Sequence, residues 1–339
     1  MRIELFAFTA RGTETAGRIM DALPEEELRA YTVDRFLTEG FRGLGSRDPD
    51  FYGKSFSRAD AMIFVGACGI AVRSIAPWVR DKRTDPAVIS VDEGGRFVIP
   101  LLSGHIGGAN ALARRLAAAL DAVAVVTTAT DVNGRFSVDE WAARNGCAIG
   151  DMAAAKAVSA AILEGDVPLR SDFSLEGDLP PGIVPAGSGE LGVYITCGTK
   201  EPFRRTLRLI PPVLHLGLGC RRGTPDTAIQ EAVETVFRDN GLDLRAVKEA
   251  ASIDLKADEP GLLAFCEAMG RPVRFYSAET LRGAAGTFSG SDFVRETTGV
   301  DNVCERAAVM GGGKLIVRKT ALGGVTVAVA MEDWEVRFG

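Results

Sequence analysis

The sequence predicts an α/β protein built as two α/β sheet domains joined by a small middle module. Three observations predict it. An apolar run, a small-residue or glycine turn and a stretch of helical period recur in residues 1–135 and again in 213–339. Residues 136–212 break that rhythm with frequent Gly and Pro, and Pro211-Pro212 reads as the linker into the last part. The chain has 339 residues, 46% hydrophobic and 25% charged, enough apolar material for more than one core.

Taken in order, Ile3 to Thr9 reads as a strand. A helix opens at Arg11-Gly12-Thr13 and runs to Leu23, with Ala16, Ile19, Met20 and Leu23 on its inner face. Ala30 to Val33 is a second strand. Residues 36–57 carry no clear period, and their aromatics (Phe36, Phe41, Phe51, Tyr52, Phe56) suit a pocket lining or, as expected here, a loop packed on the domain. Ala61 to Gly66 is a buried strand that runs into the helix around Ile70 to Pro77. Arg73 is placed in the first turn of that helix, where the dipole disfavours a cation. An anionic ligand would offset that cost, and a plain surface arginine is the alternative. After Lys82-Arg83-Thr84-Asp85-Pro86, Ala87 to Val91 is a strand, and Asp92-Glu93-Gly94-Gly95 turns it into the apolar run Phe97 to Leu102.

The turn that follows, Ser103-Gly104-His105-Ile106-Gly107-Gly108-Ala109-Asn110, draws the most attention. Ala109, Leu112, Ala113, Leu116, Ala117 and Leu120 then recur on one helical face. Ser103 is a candidate cap for this helix. The glycines allow backbone N–H groups to approach an anion at the helix N-terminus. His105 is one of two histidines in the chain and the titratable group of the turn. A tight turn with glycines for geometry alone is the competing reading. Ala122 to Val126 is a further strand, ending in Thr127-Thr128-Ala129-Thr130-Asp131. Three strands thus end in polar loops, which are expected to gather at the carboxyl edge of the sheet, where ligands bind.

The middle module alternates a helix (Asp151 to Leu163) with short strands (Leu191 to Thr196, Thr206 to Ile210). In the last part, Val213 to Gly219 is a strand, Cys220-Arg221-Arg222-Gly223-Thr224 is a turn, and Ile229, Val233, Val236 and Phe237 mark a helix. Ala250 to Lys256 leads to a helix started by Asp258-Glu259-Pro260 and striped by Leu262, Phe265, Cys266 and Met269. Pro272 to Tyr276 is a strand, Val303 to Met310 a helix, and Leu315 to Lys319 with Val325 to Ala330 a closing strand pair. His215, inside the apolar run, reads as a core residue.

The glycines of Gly217-Leu218-Gly219-Cys220-Arg221-Arg222-Gly223 are spaced one residue longer than the dinucleotide fingerprint, and no Lys-Ser/Thr ending marks a phosphate loop. Two adjacent arginines in a glycine turn suit carboxylates or phosphates, which guanidinium binds through two parallel hydrogen bonds. A solvated charge pair is the alternative. The net charge of -6 disfavours a nucleic-acid binder. Six cysteines without paired spacing indicate neither a zinc site nor a disulfide framework. No apolar run reaches the roughly 18 residues of a membrane span and the start lacks a signal-peptide pattern, so a cytoplasmic protein with no membrane partner is expected.

Three blocks resemble the cobalt-precorrin-5A hydrolase family of anaerobic cobalamin biosynthesis. They are Gly66 to Arg73 with Asp81-Lys82 and Asp85 to Val88; Leu101 to Asn110 with Thr127 to Asp131; and Gly217 to Thr224 with Ala251 to Glu259. Val325 to Ala330 fits too, whereas residues 36–57 do not match and the middle module matches loosely. The resemblance implies opening of the ring A acetate lactone of a cobalt-bound, ring-contracted tetrapyrrole, with release of acetaldehyde. It implies no cofactor and no metal held by the protein, since the cobalt arrives with the substrate. Other enzymes of the pathway are implied as partners. Against that substrate, rich in carboxylates, His105 is the candidate general base. Arg73, Ser103, Gly104, Gly107, Gly108, Asn110, Cys220, Arg221, Arg222, Gly223, Thr224 and Lys256 are the candidate binding residues. Gly107 and Gly108 N–H groups would stabilise the oxyanion, and the helix dipole would keep His105 neutral. Asp131, Asp254 and Glu259 stand next as bases. A non-catalytic carrier of the same tetrapyrroles would use the same arginines without His105, and a purely structural protein would use neither.

Overall fold

The computed structural model describes residues 1–45, 48–81 and 84–338. Lys82 and Arg83, named in the loop after the second helix, lie outside the described residues, as do Ser46 and Arg47 within 36–57. The chain divides into two compact units, Met1–Ala143 and Arg144–Gly339.

In the first unit the elements run β1 (Arg2–Ala7), α1 (Ala10–Ala22), β2 (Glu27–Thr32), β3 (Phe41–Gly43), α2 (Phe51–Arg58), β4 (Ala61–Val65), α3 (Cys68–Ile75), β5 (Ala87–Val91), β6 (Phe97–Leu102), α4 (Ala109–Leu120), β7 (Val123–Ala124), α5 (Ala129–Val132) and α6 (Val138–Arg144). The sheet order is β3-β2-β1-β4-β5-β6-β7. β1 to β5 are parallel, and every residue of β4 and β5 is buried because helices cover both faces. The period of two sorts the core. Ile3, Leu5, Ile63 and Ile89 meet Ile19 of α1 and Leu112 and Leu116 of α4. Phe6, Met62, Phe64 and Val88 meet Phe56 of α2 and Ile75 of α3. Residues 36–57 supply β3 and α2 where a packed loop was expected; Phe51 and Tyr52 pack edge-on against Phe6, while Tyr52 and Phe56 also border cavities, the other role open to these aromatics.

The hairpin after β5 reverses the chain. β6 is antiparallel to β5, with Val91 opposite Val98 and Val88 opposite Leu102, and β7 follows β6. The turn after β6 and the loop after β7 therefore lie at the amino edge of the parallel strands. The Gly66–Ala67 turn after β4 lies at their carboxyl edge. The three loops do not gather on one edge, and the expected position of the central turn is corrected. β6 is also less buried than its apolar sequence predicts: Phe97 is exposed and Val98 alone is fully covered.

The second unit holds two five-stranded sheets. The first takes β8 (Ala148–Ile149), β9 (Val167–Ser171), β11 (Ile183–Pro185), β12 (Leu191–Ile195) and β13 (Arg205–Ile210) in the order β11-β9-β12-β13-β8, backed by α7 (Met152–Glu164). The Asp151 side chain caps α7 by accepting from the Ala153 N–H at 2.8 Å. β10 (Ser174–Glu176) pairs with β19 (Glu335–Arg337) apart from both sheets. The other large sheet takes β14 (Leu214–Cys220), β15 (Val247–Ile253), β16 (Val273–Tyr276), β17 (Lys314–Leu322) and β18 (Val325–Met331) in the order β16-β15-β14-β18-β17. Its helices are α8 (Asp226–Asp239), α9 (Pro260–Met269), α10 (Ala278–Arg282), α11 (Asp292–Thr298) and α12 (Cys304–Met310). Leu214, Leu216 and Leu218 face α8 and α9, in one core with Ile210 of the neighbouring sheet and Cys197 in the segment after β12. On the other face α12 lies so close to β14 that a Cβ on Gly217 would run into the Cys304 carbonyl. β14, β15 and β16 are parallel, and the Cys220–Thr224 turn stands at their carboxyl edge, as the sequence predicts.

The close approach at Gly217 predicts that Gly217→Ala lowers the thermal midpoint of the second unit, costing about 1–3 kcal/mol. Gly223→Ala, where φ is +73 and nothing stands within 4 Å of the new Cβ, costs less, about 1 kcal/mol of backbone strain. Calorimetry on the two variants checks the order.

Candidate functional site

The central turn is held from inside. Ser103 takes a left-handed backbone (φ 55) and its hydroxyl donates to the Asp85 carbonyl at 2.9 Å, so it does not cap α4. Gly108, with φ 80, occupies the cap position without a side-chain hydrogen bond. Its N–H donates to the His105 carbonyl at 2.9 Å, and those of Ala109 and Asn110 donate to the carbonyls of Ser103 and Gly104. Of the two N–H groups expected to meet an oxyanion, that of Gly108 thus closes the turn instead. A Cβ on Gly104 would stand 2.8 Å from Asn110 Oδ1, and one on Gly107 would overlap Ser103, which explains both glycines by space.

His105 sits between two carboxylates. Its Nε2 lies 3.0 Å from Asp131 Oδ2 and its Nδ1 3.2 Å from Asp139 Oδ1, with its side chain 14% exposed. Asp131 also accepts from Asn110 Nδ2 at 3.1 Å and from Arg114, which reaches Glu140 as well at 3.5 Å. Asn110 Nδ2 donates to Thr128 Oγ1 at 2.8 Å, and Ser137 Oγ donates to Asp139 Oδ1 at 2.9 Å. The turn, α4, the Thr128–Asp131 loop and the start of α6 are thereby tied into one polar cluster. Burial alone would lower the His105 pKa, but the hydrogen bonds and charges of Asp139 and Asp131 override it and raise the value to about 9. The same pair acts in reverse on Asp139: burial pushes its carboxyl up, and His105 pulls it down to about 2. Asp131 is also held low, against burial, by His105, Thr128 and Arg114. These contacts favour the imidazolium form of His105 at neutral pH, opposite to the neutral form that the helix dipole was expected to favour.

The sequence reading missed Asp139, Arg114 and Glu140. Asp139 and Glu140 stand in the first turn of α6, beyond residue 135, where the first domain was expected to end. His105, Asp131 and Glu140 bring one ligand atom each within 4.8 Å of one another, but Arg114 already spans the two acids and supplies the positive charge there.

The other expected residues lie elsewhere. Arg73 is in the last turn of α3, not the first, where the dipole favours a cation; it is exposed, with Nη1 3.4 Å from the Gly69 carbonyl. In the second unit Arg221 and Arg222 are both exposed. Arg222 reaches both oxygens of Asp258, at 3.3 and 3.2 Å, while Arg221 makes no ion pair among the described residues. Lys256 is taken up by Glu259 at 3.2 Å, and the other oxygen of Glu259 accepts the Gly223 N–H at 2.6 Å. That backbone bond, more than Lys256, holds the Glu259 carboxyl below its ordinary range against burial. Thr224 Oγ1 donates to the Arg221 carbonyl at 2.7 Å, and burial pushes the Cys220 thiol up, so it stays protonated. This turn is braced by Glu259, with Arg221 left open.

The fold and both turns can be compared with known proteins. A family model described as Cobalamin synthesis G N-terminal matches residues 50–131, and one described as Cobalamin synthesis G C-terminus matches 214–330. The chain is 35% identical to the cobalt-precorrin-5A hydrolase of Salmonella typhimurium over 97% of each chain. It is 33% identical to that of Priestia megaterium, over 83% of this chain and 80% of that one. A crystal structure of a cobalamin biosynthesis protein G homolog from Sulfolobus solfataricus aligns over 97% of this chain and 96% of that one, with 20% identity and a TM-score of 0.42. Among the described residues no helix is long and apolar enough to cross a membrane.

The clamp on His105 predicts a pH signature in stability. The folded pKa of His105, about 9, lies above its unfolded value of about 6.5, so its contribution is complete below that value and is lost as pH rises through about 9. Asp139, lowered to about 2, contributes above about 4 and loses that contribution as pH falls through about 2. His105→Gln is therefore expected to destabilise most near pH 6, on the order of 2 kcal/mol, and least near pH 10. Urea unfolding at the two pH values checks it.

Proposed function

Since the chain belongs to the cobalt-precorrin-5A hydrolase family, we propose that it opens the ring A acetate lactone of a cobalt-bound, ring-contracted tetrapyrrole and releases acetaldehyde, giving cobalt-precorrin-5B. The cobalt belongs to the substrate. The observation that carries this reading is the near full-length identity to the Salmonella protein, with the His105 turn and its Asp131 partner inside the first matched block.

The chemistry asks for proton transfers in both directions. Water adds to the lactone carbonyl and the acyl carbon–oxygen bond breaks, leaving a carboxylate and a secondary alcohol. Loss of the alcohol proton turns that C–O bond into the C=O of acetaldehyde, and the carbon–carbon bond breaks. Its electron pair stays on the macrocycle carbon, which takes up a proton. In our reading His105 serves as the charged proton donor and Asp131, on the same Nε2, as the acceptor. A charged imidazolium also stabilises the oxyanion of the first step. Arg221 and Arg222 take substrate carboxylates; Arg222 exchanges Asp258 for them, at an exposed site where that pair is worth little. Lys256 acts indirectly, by holding Glu259.

The decisive experiment is anaerobic incubation of the protein with cobalt-precorrin-5A and assay of acetaldehyde. One acetaldehyde per substrate is expected; tight binding without acetaldehyde would make the protein a carrier. His105→Ala is expected to slow release by roughly 10²–10⁴-fold. As a donor, His105 keeps turnover up to about pH 9 and loses it above; a base role would instead raise turnover through the same range. Arg221→Ala with Arg222→Ala is expected to weaken binding by roughly tenfold to a hundredfold, read from the tetrapyrrole absorbance.

A further inference from the structure

Two cavities of the first unit meet at one indole. One, of about 520 Å³, lies at the amino edge of the sheet and is lined by Arg2, Phe56, Trp78, Arg80 and Gly107 among others. The other, of about 380 Å³, lies between the start of α2 and α3, against Tyr52, Ile70, Arg73, Pro77 and Trp78. Both fall within the roughly 300–1,000 Å³ of small-molecule sites, and Trp78 borders each. The indole is seated by a glycine: a Cβ on Gly53 would stand 2.6 Å from its ring. Tyr52 is fixed in turn by Phe6, Phe51 and Phe64, so the aromatic walls are preformed.

The charges of this trough are the second observation. Arg2 is neutralised by Asp60 at 2.8 Å. Arg73 and Arg80 make no ion pair among the described residues, although the chain carries a net charge of -6 and has carboxylates to spare. Trp78, with Phe56 in one cavity, Tyr52 in the other and an unpaired guanidinium in each, fits a flat ligand with anionic groups on its rim; the carboxylates that also line the larger cavity are engaged, Asp60 by Arg2 and Asp85 by the backbone N–H groups of Arg80 and Asp81. The trough also touches the reacting centre. Gly107 and Asp85 line the larger cavity, Ser103 donates to the Asp85 carbonyl, and His105 stands in the same turn.

We propose that this trough binds the macrocycle of the cobalt tetrapyrrole, with the ring against Trp78 and rim carboxylates on Arg73 and Arg80. The assignment rests on the reading of the substrate given above and goes beyond it by locating where the ring is held. It gives Arg73 a ligand role that its position on the helix dipole does not.

The test is titration of the wild-type protein and two kinds of variant with cobalt-precorrin-5A under nitrogen, followed by tetrapyrrole absorbance and by quenching of tryptophan fluorescence. Trp78→Ala removes the platform, and Trp78→Phe keeps a ring if the alanine variant does not fold. Arg73→Glu with Arg80→Glu reverses the rim charge at exposed positions. Wild type is expected to bind with quenching. Trp78→Phe is expected to keep affinity within a few-fold but lose much of the quench. Trp78→Ala and the double charge reversal are each expected to weaken binding at least tenfold. Affinities of Trp78→Phe and the double variant that match wild type, with the quench of Trp78→Phe unchanged, would overturn the assignment. Acetaldehyde released by wild type in the same experiment keeps the two questions apart: normal release with unaffected variants sinks the trough alone, and binding without release sinks the proposed reaction alone.

Discussion

The carboxylate of Asp92 decides where the His105 turn is placed. One oxygen accepts the N–H groups of Arg96 and Phe97, both at 2.7 Å, and the other accepts that of Gly94 at 3.2 Å. Burial would raise its pKa, but these three donors bring it below the ordinary carboxylate range. The two-sided grip closes the hairpin and sends β6 back against β5. A crossover helix in its place would have continued the parallel order and carried the next turn to the carboxyl edge. Because β6 is reversed and β7 follows it, the His105 turn and the Asp131 loop emerge side by side at the amino edge. The cavity that meets Gly107 opens on that same edge, under the first residues of β1, β4 and β5.

The second constraint is charge. His105 and Arg114 are set against Asp131, Asp139 and Glu140, all at least partly withdrawn from water. With two cations against three acids, removing His105 or Arg114 leaves carboxylates without a counter-charge, which is why such clusters tolerate little change at their cations even where their net contribution to stability is small. The same balance redirects the chemistry. An imidazole held by one carboxylate is the familiar arrangement of a base, because its other nitrogen stays open. Here the second nitrogen is taken as well, so the proton is held more tightly, and in the proposed reaction the group would act by giving it up rather than by receiving one.

Much of the fold was legible because it follows from period and punctuation. β4, β5, α4 and β14 emerge from apolar runs and helical stripes with boundaries close to those observed. The direction of β6 was legible too, since Asp92-Glu93-Gly94-Gly95 reads as a hairpin; the error lay in still assigning its end to the carboxyl edge. The site was legible in part. His105 and Asp131 stand in glycine- and threonine-rich loops that draw attention, whereas Asp139 looks like any acid in a first helical turn. Nothing local marks it, because its role is set by a contact across the fold. Glu259 is similar: its sequence neighbours mark a helix start, while its work is to hold the backbone of Gly223.

The two histidines show how surroundings, not residue type, separate a candidate reacting group from a structural one. His215 is also flanked by two carboxylates, Glu249 at 3.2 Å and Glu332 at 3.0 Å, which are balanced by Arg274 and Lys248. Its apolar neighbours in the sequence, Leu214 and Leu216, face the opposite side of the sheet, so an apolar run conceals a buried polar cluster. Gly311 closes over it, and a Cβ there would overlap the ring. With its side chain 2% exposed and that lid in contact, His215 joins strands and has no approach for a substrate atom. His105 has the same partners in kind, but they come from loops and helix starts at a sheet edge, next to a cavity wall. Gly107 of the same turn lines that cavity, so in the proposed reaction the position of the turn, more than the identity of the imidazole, is what would bring the His105 proton to a bound ligand once one carboxylate contact is exchanged for it.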